Sequence, residues 1–240
     1  DLSGIMRHVA CFRARRPTIV HFNLSNPLHG QYAMIAARIA KVPFQVATLH
    51  LPPRSTTPTK RGRFFERQTL CNLNMLIAVC DSSRELVVKH FGLDPARTTA
   101  VHNGIDADDF DQEVSKLAPV SLKQGQEFII GTVGRLSLQK GFDVLLDAMP
   151  AVLAEFPNVR LAIAGEGPEE ENLRKQCNTL HIDKSVDFLG MRSDIPALLQ
   201  AFDLFVLPSR YESFPITILE VMAASKPIVS TSVDGIPESV

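Results

Sequence analysis

Short apolar runs alternate with segments of helical periodicity along almost the whole chain. The apolar runs lack polar alternation, which is typical of strands buried on both faces. They predict strands at Thr18–Phe22, Phe44–Leu49, Met75–Val79, Thr98–Val101, Phe128–Val133, Arg160–Ala164, Val186–Leu189, Leu204–Leu207 and Ile228–Ser230. Apolar residues at helical spacing predict helices near residues 30–40, 59–72, 82–90, 141–155, 168–180, 194–201 and 216–224.

This alternation predicts an α/β fold with parallel sheets that helices cover on both faces. The polar segment Asp106–Glu127 has no apolar periodicity, and we interpret it as a link between two domains. The expected domains are residues 1–117 and 118–240, a division that suits a chain of 240 residues.

The composition is that of an ordinary soluble protein, with 45% hydrophobic residues, 21% charged residues and a formal net charge of −1. No apolar run approaches the roughly 18 residues that a membrane span needs. The four cysteines are scattered without a C-x-x-C pair, which disfavours a zinc site or a disulfide framework.

The overall neutrality conceals a charge asymmetry between the two halves. Residues 1–105 carry 14 Lys and Arg against 5 Asp and Glu, a net of +9. Residues 106–240 carry 11 against 21, a net of −10. The basic residues cluster at Arg7, Arg13, Arg15, Arg16, Lys60, Arg61, Arg63 and Arg67. Such clusters suit phosphates or an anionic membrane surface, or are simply solvated; sparse aromatic residues disfavour nucleic acid.

Two cations follow the strand that ends at Val133. Gly134 permits a tight turn there, and Arg135 and Lys140 flank the loop before the next helix. An Arg fork with a Lys point charge is suited to a diphosphate, since ligands of open parallel sheets bind beyond the carboxyl ends of strands. Solvated surface residues are the alternative interpretation.

The stretch "YESFPITILEVMAASKPIVS" holds two glutamates around a helix start. Pro215 predicts that the helix begins at Ile216 and Thr217, whose free N–H groups form an anion site. Glu212 precedes this end, and Glu220 lies about 6–8 Å along the axis at about 1.5 Å per residue. The pattern fits a ligand with a diphosphate, a ribose and a second polyol.

Other nucleotide-binding motifs are missing from the sequence. "GEGPEEENL" is a Gly-x-Gly turn before a helix, but it lacks the third glycine of a dinucleotide fingerprint. No Gly-x-x-x-x-Gly-Lys-Ser/Thr run occurs either, which disfavours NTPases of the Walker type.

Several ordered motifs resemble those of one enzyme family. "AVHNGIDADDF", "GRLSLQKG", "GEGPEEENL" and the stretch from "VDFLG" to "GIPES" are similar to motifs of the retaining GT-B glycosyltransferases of family four, also called glycosyltransferase group 1. The resemblance runs through nearly all of residues 18–240. It implies two Rossmann-like domains facing a cleft, a nucleotide-sugar donor, no cofactor and no metal.

The resemblance also implies roles for individual residues. Arg135 and Lys140 would bind the donor diphosphate. Glu212 and Glu220 match an E-x7-E motif, with Glu212 near the transferred sugar and Glu220 on the ribose. The backbone of Phe214, Pro215 and Ile216 would follow the sugar and phosphates, with Thr217 close by. Met191 to Ser193 would flank the base.

In the basic half, "ATLHLPP" and "VHFNLSNPLHG" resemble the segments that carry cleft-facing histidines. His50 is therefore the candidate acceptor-side residue, with His21 at the matching earlier place. A structural role for either histidine is the alternative. "ESFP" departs from the commoner "EGFG" of the family, so Ser213 and Pro215 leave the identity of the donor sugar open.

The resemblance places this sequence in the interior of a longer enzyme, and we expect the 240 residues alone to be poorly stable and inactive. Asp106 and Asp108 match the D-x-D metal motif of another glycosyltransferase fold, but they follow the turn "HNGI" at the domain seam and adjoin further acids, so we do not expect a metal there.

We expect a cytoplasmic enzyme that transfers a hexose, with retention, to a glycan, lipid-linked or small-molecule acceptor. Its basic half would contact an anionic membrane peripherally. A GT-B epimerase or phosphorylase and a non-catalytic nucleotide-sugar-binding subunit are the alternatives.

Overall fold

The structure is a computed structural model that describes residues 2–25, 30–51, 67–123 and 125–240. Within these ranges, nine strands form two sheets, and every strand pairing is parallel. The chain divides into two compact units, Asp1–Asn103 and Gly104–Val240. The predicted α/β class with two parallel sheets is therefore confirmed.

The first unit contains one sheet with its strands in chain order. Its elements are α1 (Leu2–Arg15), β1 (Ile19–Leu24), α2 (Gln31–Ile39), β2 (Phe44–Leu49), β3 (Met75–Ala78), α3 (Asp81–Phe91) and β4 (Thr98–Ala100). The sheet order is β1-β2-β3-β4. Phe22, Leu49 and Leu76 from the strands pack with Val87 and Phe91 of α3 in its core.

The second unit contains a five-stranded sheet. Its elements are α4 (Ala107–Lys116), β5 (Phe128–Val133), α5 (Phe142–Glu155), β6 (Val159–Ala164), α6 (Glu170–Thr179), β7 (Val186–Gly190), α7 (Ile195–Ala201), β8 (Leu204–Leu207), α8 (Ile216–Ala223) and β9 (Ile228–Ser230). The sheet order is β7-β6-β5-β8-β9.

Alternate residues of β5 enter two different cores. Ile129 belongs to the cluster with Phe202 and Phe205, whereas Ile130 belongs to the cluster with Phe142 and Leu146. Because successive strand side chains point to opposite faces, both faces of β5 are buried. This explains why the sequence of β5 shows an unbroken apolar run.

The interpretation of Asp106–Glu127 as a link is wrong for its first half, which forms α4. Phe110 is buried in the cluster that contains Ile129, Phe202 and Phe205, and Val114 packs against this cluster. The chain divides into its two compact units between residues 103 and 104, whereas the sequence analysis placed the boundary between residues 117 and 118. Polar residues outnumber apolar residues in α4. The spacing of Phe110 and Val114, i and i+4, was therefore the sequence signal that could have indicated a helix here.

The sequence interpretation also missed α1, because arginines interrupt its apolar residues. Ile5, Val9 and Phe12 nevertheless follow the i, i+4, i+7 spacing of one helix face, and Val9 is buried. Most of the helix predicted at 59–72 lies outside the described residues, as do Lys60, Arg61 and Arg63. Residues 67–70 are helical.

None of the helices in the described ranges is both long enough and apolar enough to cross a bilayer.

Candidate functional site at the carboxyl edge of the second sheet

The order of the second sheet reverses direction between β5 and β8. The chain adds β6 and β7 on one side of β5 and then returns to place β8 on its other side. Open parallel sheets bind ligands beyond the carboxyl ends of the strands at such a switch point. Two loops flank it: residues 134–141, which follow β5, and residues 208–215, which follow β8.

The loop after β5 carries the predicted residues Gly134, Arg135 and Lys140. A Cβ atom on Gly134 would lie 3.3 Å from Cε of Lys140, so glycine leaves room for the lysine side chain to pass over this turn. Arg135 is exposed, and its side chain has no hydrogen bond or ion pair within the described part of the chain. An unpaired cation at this position is available to an anionic ligand.

Lys140 contacts a carboxylate of the other loop. Its Nζ atom lies 2.5 Å from Oε1 of Glu212, and Ser209 Oγ donates to the same oxygen at 3.0 Å. The two charged side chains are only 17% and 7% exposed, so this pair is shielded from solvent. The attraction between the two charges of a shielded pair is stronger than in a surface pair, because water and salt screen it less. The structure thus brings Lys140 to Glu212 and leaves Arg135 apart.

The helix that follows Glu212 begins where proline predicts. Pro215 is the N-cap of α8, with φ of −72° and ψ of 118°, and Ile216 is the first helical residue. No side chain among the described residues caps this end, and a proline ring cannot do so. The N–H groups of the first turn, at Ile216 and Thr217, are therefore oriented as an anion site.

The accessible part of this helix start is the side exposed at Ile216. Ile216 is 48% exposed and Thr217 is half-buried, whereas Phe214 and Pro215 are buried. A ligand at this end would consequently meet backbone N–H groups and the residues 216 and 217 before it met the ring of Phe214.

Glu220 is half-buried on α8. Burial, followed by the nearby Glu113 carboxylate of α4, raises the pKa of Glu220 above its ordinary value of 4.5. Glu113 lies in the segment that the sequence analysis interpreted as a link, so this electrostatic neighbour was missed. A raised pKa favours the protonated carboxyl, which can donate as well as accept a hydrogen bond.

Met191 lies at the end of β7 in contact with the loop after β6. The residue is 74% exposed, and its N–H donates to Oε1 of Glu166 at 3.4 Å. The N–H of Gly165 donates to the carbonyl of Gly190 at 2.8 Å and joins the two loops. Glu166 is therefore an acceptor beside the predicted base-binding segment, and the sequence analysis did not single it out.

The sequence analysis also missed two residues that contact Glu212. Ser209 is buried, and its carbonyl accepts a hydrogen bond of 2.6 Å from Thr231 Oγ1. Asp234 Oδ2 accepts from the backbone N–H of Glu212 at 3.2 Å. Ser209 was within reach of sequence reasoning because it precedes Glu212 by three residues. Asp234 reaches this loop only through tertiary folding.

The candidate histidines of the first unit lie near two neighbouring strands. His21 is in the middle of β1, opposite Val46 of β2, and His50 directly follows β2. His21 Nε2 lies 2.8 Å from Thr48 Oγ1, and His50 Nε2 lies 3.4 Å from Asn23 Oδ1. Both rings are exposed. Each histidine thus has a hydrogen-bond partner on the adjacent strand and remains accessible to a ligand.

The D-x-D pair has a structural function. Asp106 is the N-cap of α4, and its Oδ1 atom accepts from the N–H groups of Asp108 and Asp109 at 3.0 and 3.1 Å. A capping carboxylate of this kind satisfies the free N–H groups of a first helical turn. The pattern of acids is explained by the helix start.

Two family models match the chain. The model "Glycosyltransferase Family 4" matches residues 1–109, and the model "Glycosyl transferases group 1" matches residues 114–240, which is more than half of the chain. The chain belongs to the glycosyl transferases group 1 family. The predicted family membership is thereby confirmed.

Curated relatives of this group 1 protein include glycosyltransferases of archaea and bacteria. It is 36% identical, over 68% of its length, to an uncharacterised glycosyltransferase of Methanocaldococcus jannaschii. It is 28% identical, over 98% of its length, to a UDP-Gal:alpha-D-GlcNAc-diphosphoundecaprenol alpha-1,3-galactosyltransferase of Escherichia coli. The chain spans 43% and 63% of the length of these relatives.

Among solved structures, the group 1 protein resembles Anabaena HepE in complex with UDP. The TM-score is 0.81 at 24% identity, covering 98% of this chain and 65% of HepE. HepE has also been solved with UDP-glucose, with a TM-score of 0.80. The two parallel-sheet units and this similarity establish the GT-B fold that the motifs imply.

Proposed function

We propose that this group 1 protein takes part in the transfer of a hexose from a nucleotide diphosphate sugar to an acceptor hydroxyl, with retention at the anomeric carbon. The acceptor is a glycan, a lipid-linked sugar or a small molecule. The observation that carries the proposal is the shielded Lys140–Glu212 pair, which lies at the switch point beside the uncapped start of α8.

The arrangement suits a departing nucleotide diphosphate. Negative charge develops on the diphosphate as the bond to the sugar breaks, and fixed positive groups lower the energy of that state. Arg135, Lys140 and the N–H groups at the start of α8 would supply these groups. Catalysis would then be mainly electrostatic, without a covalent step at Glu212.

The other predicted residues would bind the rest of the donor. Glu212 would accept a hydrogen bond from the transferred sugar while Lys140 holds its carboxylate, and Glu220 would bind the ribose hydroxyls. The exposed segment from Met191 would lie along the base. His50 would act on the acceptor side.

The proposal is tested with the full-length protein by a screen of UDP-, GDP- and ADP-sugars for saturable binding and transfer. With the donor that is found, we expect Arg135→Ala and Lys140→Ala each to lower transfer at least about 10²-fold, as does loss of one stabilising donor in an oxyanion-hole site. Lys184→Ala, an exposed lysine on a remote turn, is the matched control. Wild-type rates in both site variants would refute the site.

Two other functions are alternatives to this proposal, and each predicts a different experimental result. A GT-B epimerase or phosphorylase would give a different product from labelled donor, which product analysis detects. A non-catalytic subunit would bind donor tightly without turnover of any acceptor. The presence of Glu212 and Glu220 together with both cations, Arg135 and Lys140, favours an active enzyme over a binding-only subunit.

The proposed enzyme is metal-independent and needs no cofactor beyond its donor. Asp106, the acid of the D-x-D pattern, is engaged in capping α4, which supports this part of the proposal. We expect the transfer rate of the full-length protein to be unchanged in a chelator. A rate that fell on chelation and returned with a divalent cation would contradict it.

The proposed location is cytoplasmic with peripheral contact to an anionic membrane. Residues 2–65 contain no Asp or Glu. On α2, Tyr32 and Ile39 are 54% and 45% exposed, and the exposed Arg38 and Lys41 lie within two residues of Ile39 in the chain. Apolar and basic groups side by side suit an anionic bilayer surface.

This contact is measured by sedimentation with vesicles of phosphatidylcholine, with and without phosphatidylglycerol. Arg38→Glu with Lys41→Glu should abolish salt-sensitive binding to the anionic vesicles. Lys116→Glu with Lys184→Glu makes the same charge change in the second unit and should not. Equal effects of the two double variants, or no binding at all, would contradict the contact.

A further inference from the structure

The two loops that carry Lys140 and Glu212 lie side by side and are hydrogen-bonded to each other. The N–H of Arg210 donates to the carbonyl of Gln139 at 2.8 Å. The Gln139 side-chain amide donates to the carbonyl of Tyr211 at 3.1 Å. These contacts directly precede the Lys140–Glu212 pair on both loops.

The Arg210 side chain makes a second connection between the loops. Its Nη1 and Nη2 atoms donate to Oδ1 and Oδ2 of Asp143, each at 2.6 Å, and Nη1 also donates to the carbonyl of Leu138 at 2.9 Å. A two-pronged contact between a guanidinium and a carboxylate restricts orientation as well as distance. Asp143 belongs to the first turn of α5, so the contact joins the loop after β8 to a fixed helix.

The backbones also approach closely at Gly141. Its φ of +67° suits glycine, and a Cβ atom there would lie 2.1 Å from the carbonyl oxygen of Pro208. Any larger residue would push the two loops apart. We call the Arg210–Asp143 contact, the Gln139–Tyr211 contact and the Gly141–Pro208 approach the loop clasp.

We propose that Arg210, through Asp143, is a positioning residue for the transfer reaction: the loop clasp holds Lys140 and Glu212 in register at the switch point. This inference rests on the function proposed above. Without the clasp, fewer contacts would fix the position of the lysine relative to the carboxylate.

Arg210 and Arg135 differ in whether a carboxylate of the protein contacts the guanidinium group. The Arg210 guanidinium is paired with Asp143, and the hydrogen bond to that guanidinium lowers the pKa of the Asp143 carboxyl. Both Nη atoms of Arg210 are thus directed at protein acceptors, Asp143 and the Leu138 carbonyl, whereas the Arg135 guanidinium has no such partner among the described residues. We expect Arg210 to act on the geometry of the site and not to bind the diphosphate.

The test uses the full-length protein and compares Arg210→Ala, Asp143→Ala and the double variant. We expect kcat to fall roughly tenfold in each, because a displacement of about 1 Å in a site costs up to about 10²-fold in rate. The Kd of the donor should change less than about twofold. The double variant should be no worse than either single variant, since both remove the same contact.

Lys123→Ala is the matched control. It removes another ion pair of the second unit, Lys123–Asp203 at 2.8 Å, with similar exposure and no contact with either loop. Its kcat should equal that of the wild type at a comparable change in Tm. Arg210→Lys keeps the charge but cannot form the two-pronged contact, so its kcat should be lowered even if Arg210→Ala fails to fold.

Three outcomes would overturn the inference. These are an unchanged kcat in Arg210→Ala and Arg210→Lys, additive losses in the double variant, or a large rise in donor Kd at constant kcat. The last outcome would make Arg210 a ligand-binding cation. Glu212→Gln and Lys140→Met, measured alongside, separate the hypotheses: if they lose activity while Arg210→Ala does not, only the clasp fails, and if they retain it, the proposed site fails.

Discussion

The candidate functional residues of the two units are held in different ways. In the second unit, Lys140 and Glu212 are shielded from solvent, and the loops that carry them are hydrogen-bonded to each other. In the first unit, His21 and His50 are exposed, and each has a hydrogen bond to a residue of the neighbouring strand. The candidate residues of the second unit are therefore positioned by paired loops, whereas those of the first unit are positioned by neighbouring strands.

Sheet order explains the difference. In the second sheet, the chain first adds strands on one side of β5 and then adds β8 on the other side. Two loops that are distant in sequence are therefore placed side by side. The four described strands of the first sheet follow in chain order, without such a reversal. A switch point thus supplies both the crevice and the loop pair that lines it.

The largest expected effect on stability comes from a substitution at Gly141, within the loop clasp. Gly141→Ala should lower the free energy of unfolding by about 3 kcal/mol, because it combines an unfavourable φ with a clash against the Pro208 carbonyl. Chemical denaturation followed by circular dichroism measures the change.

Gly125→Ala is the control for this variant. Gly125 also has a positive φ, of +95°, but a Cβ atom there would have no neighbour within 4 Å among the described residues. We expect a loss of about 1 kcal/mol from backbone strain alone. Equal losses in the two variants would show that the close approach of the loops contributes nothing.

A second prediction concerns the candidate residues of the first unit. His50→Ala in the full-length protein should lower the transfer rate about tenfold and leave the free energy of unfolding within about 0.5 kcal/mol, because the ring is exposed and makes one long hydrogen bond. Steady-state kinetics and denaturation test both halves. If the rate is unchanged, or if stability falls with it, His50 is a structural residue.

A third prediction tests the cap that Asp106 provides at the start of α4. Asp106→Ala should destabilise the protein by about 1 kcal/mol, since it leaves the N–H groups of Asp108 and Asp109 without their acceptor. Hydrogen exchange should show the loss in α4 and its neighbours. Asp111→Ala, an exposed position within the same helix, should have little effect; equal effects would argue against the cap.

The smallest expected effect is the pH response of Glu220. Its folded pKa is raised by burial and by Glu113, so the folded state binds the proton more tightly than the unfolded state. The free energy of unfolding should therefore decline as pH rises from 4.5 through the folded pKa. Glu220→Gln should remove this decline, and Glu113→Gln should reduce it. An NMR titration that gave Glu220 a pKa below 4.5 would contradict the prediction.

Much of the local structure could be read from the sequence. The nine predicted strands all occur, with ends that differ by at most two residues, because apolar runs and their flanking glycines are local signals. Pro215 likewise predicted the first residue of α8. The two helices that were missed, α1 and α4, carry many charges, so their few buried apolar residues gave a weak periodic signal.

Sequence alone determined the α/β class, the positions of the strands, the start of α8 and the family to which the chain belongs. It did not determine that Lys140 contacts Glu212, that Arg210 is bound to Asp143, or that Glu113 raises the pKa of Glu220. Apolar periodicity and capping are decided by residues within a few positions of each other. The Lys140–Glu212 contact joins residues 72 positions apart, and only the placement of β8 beside β5 brings them together.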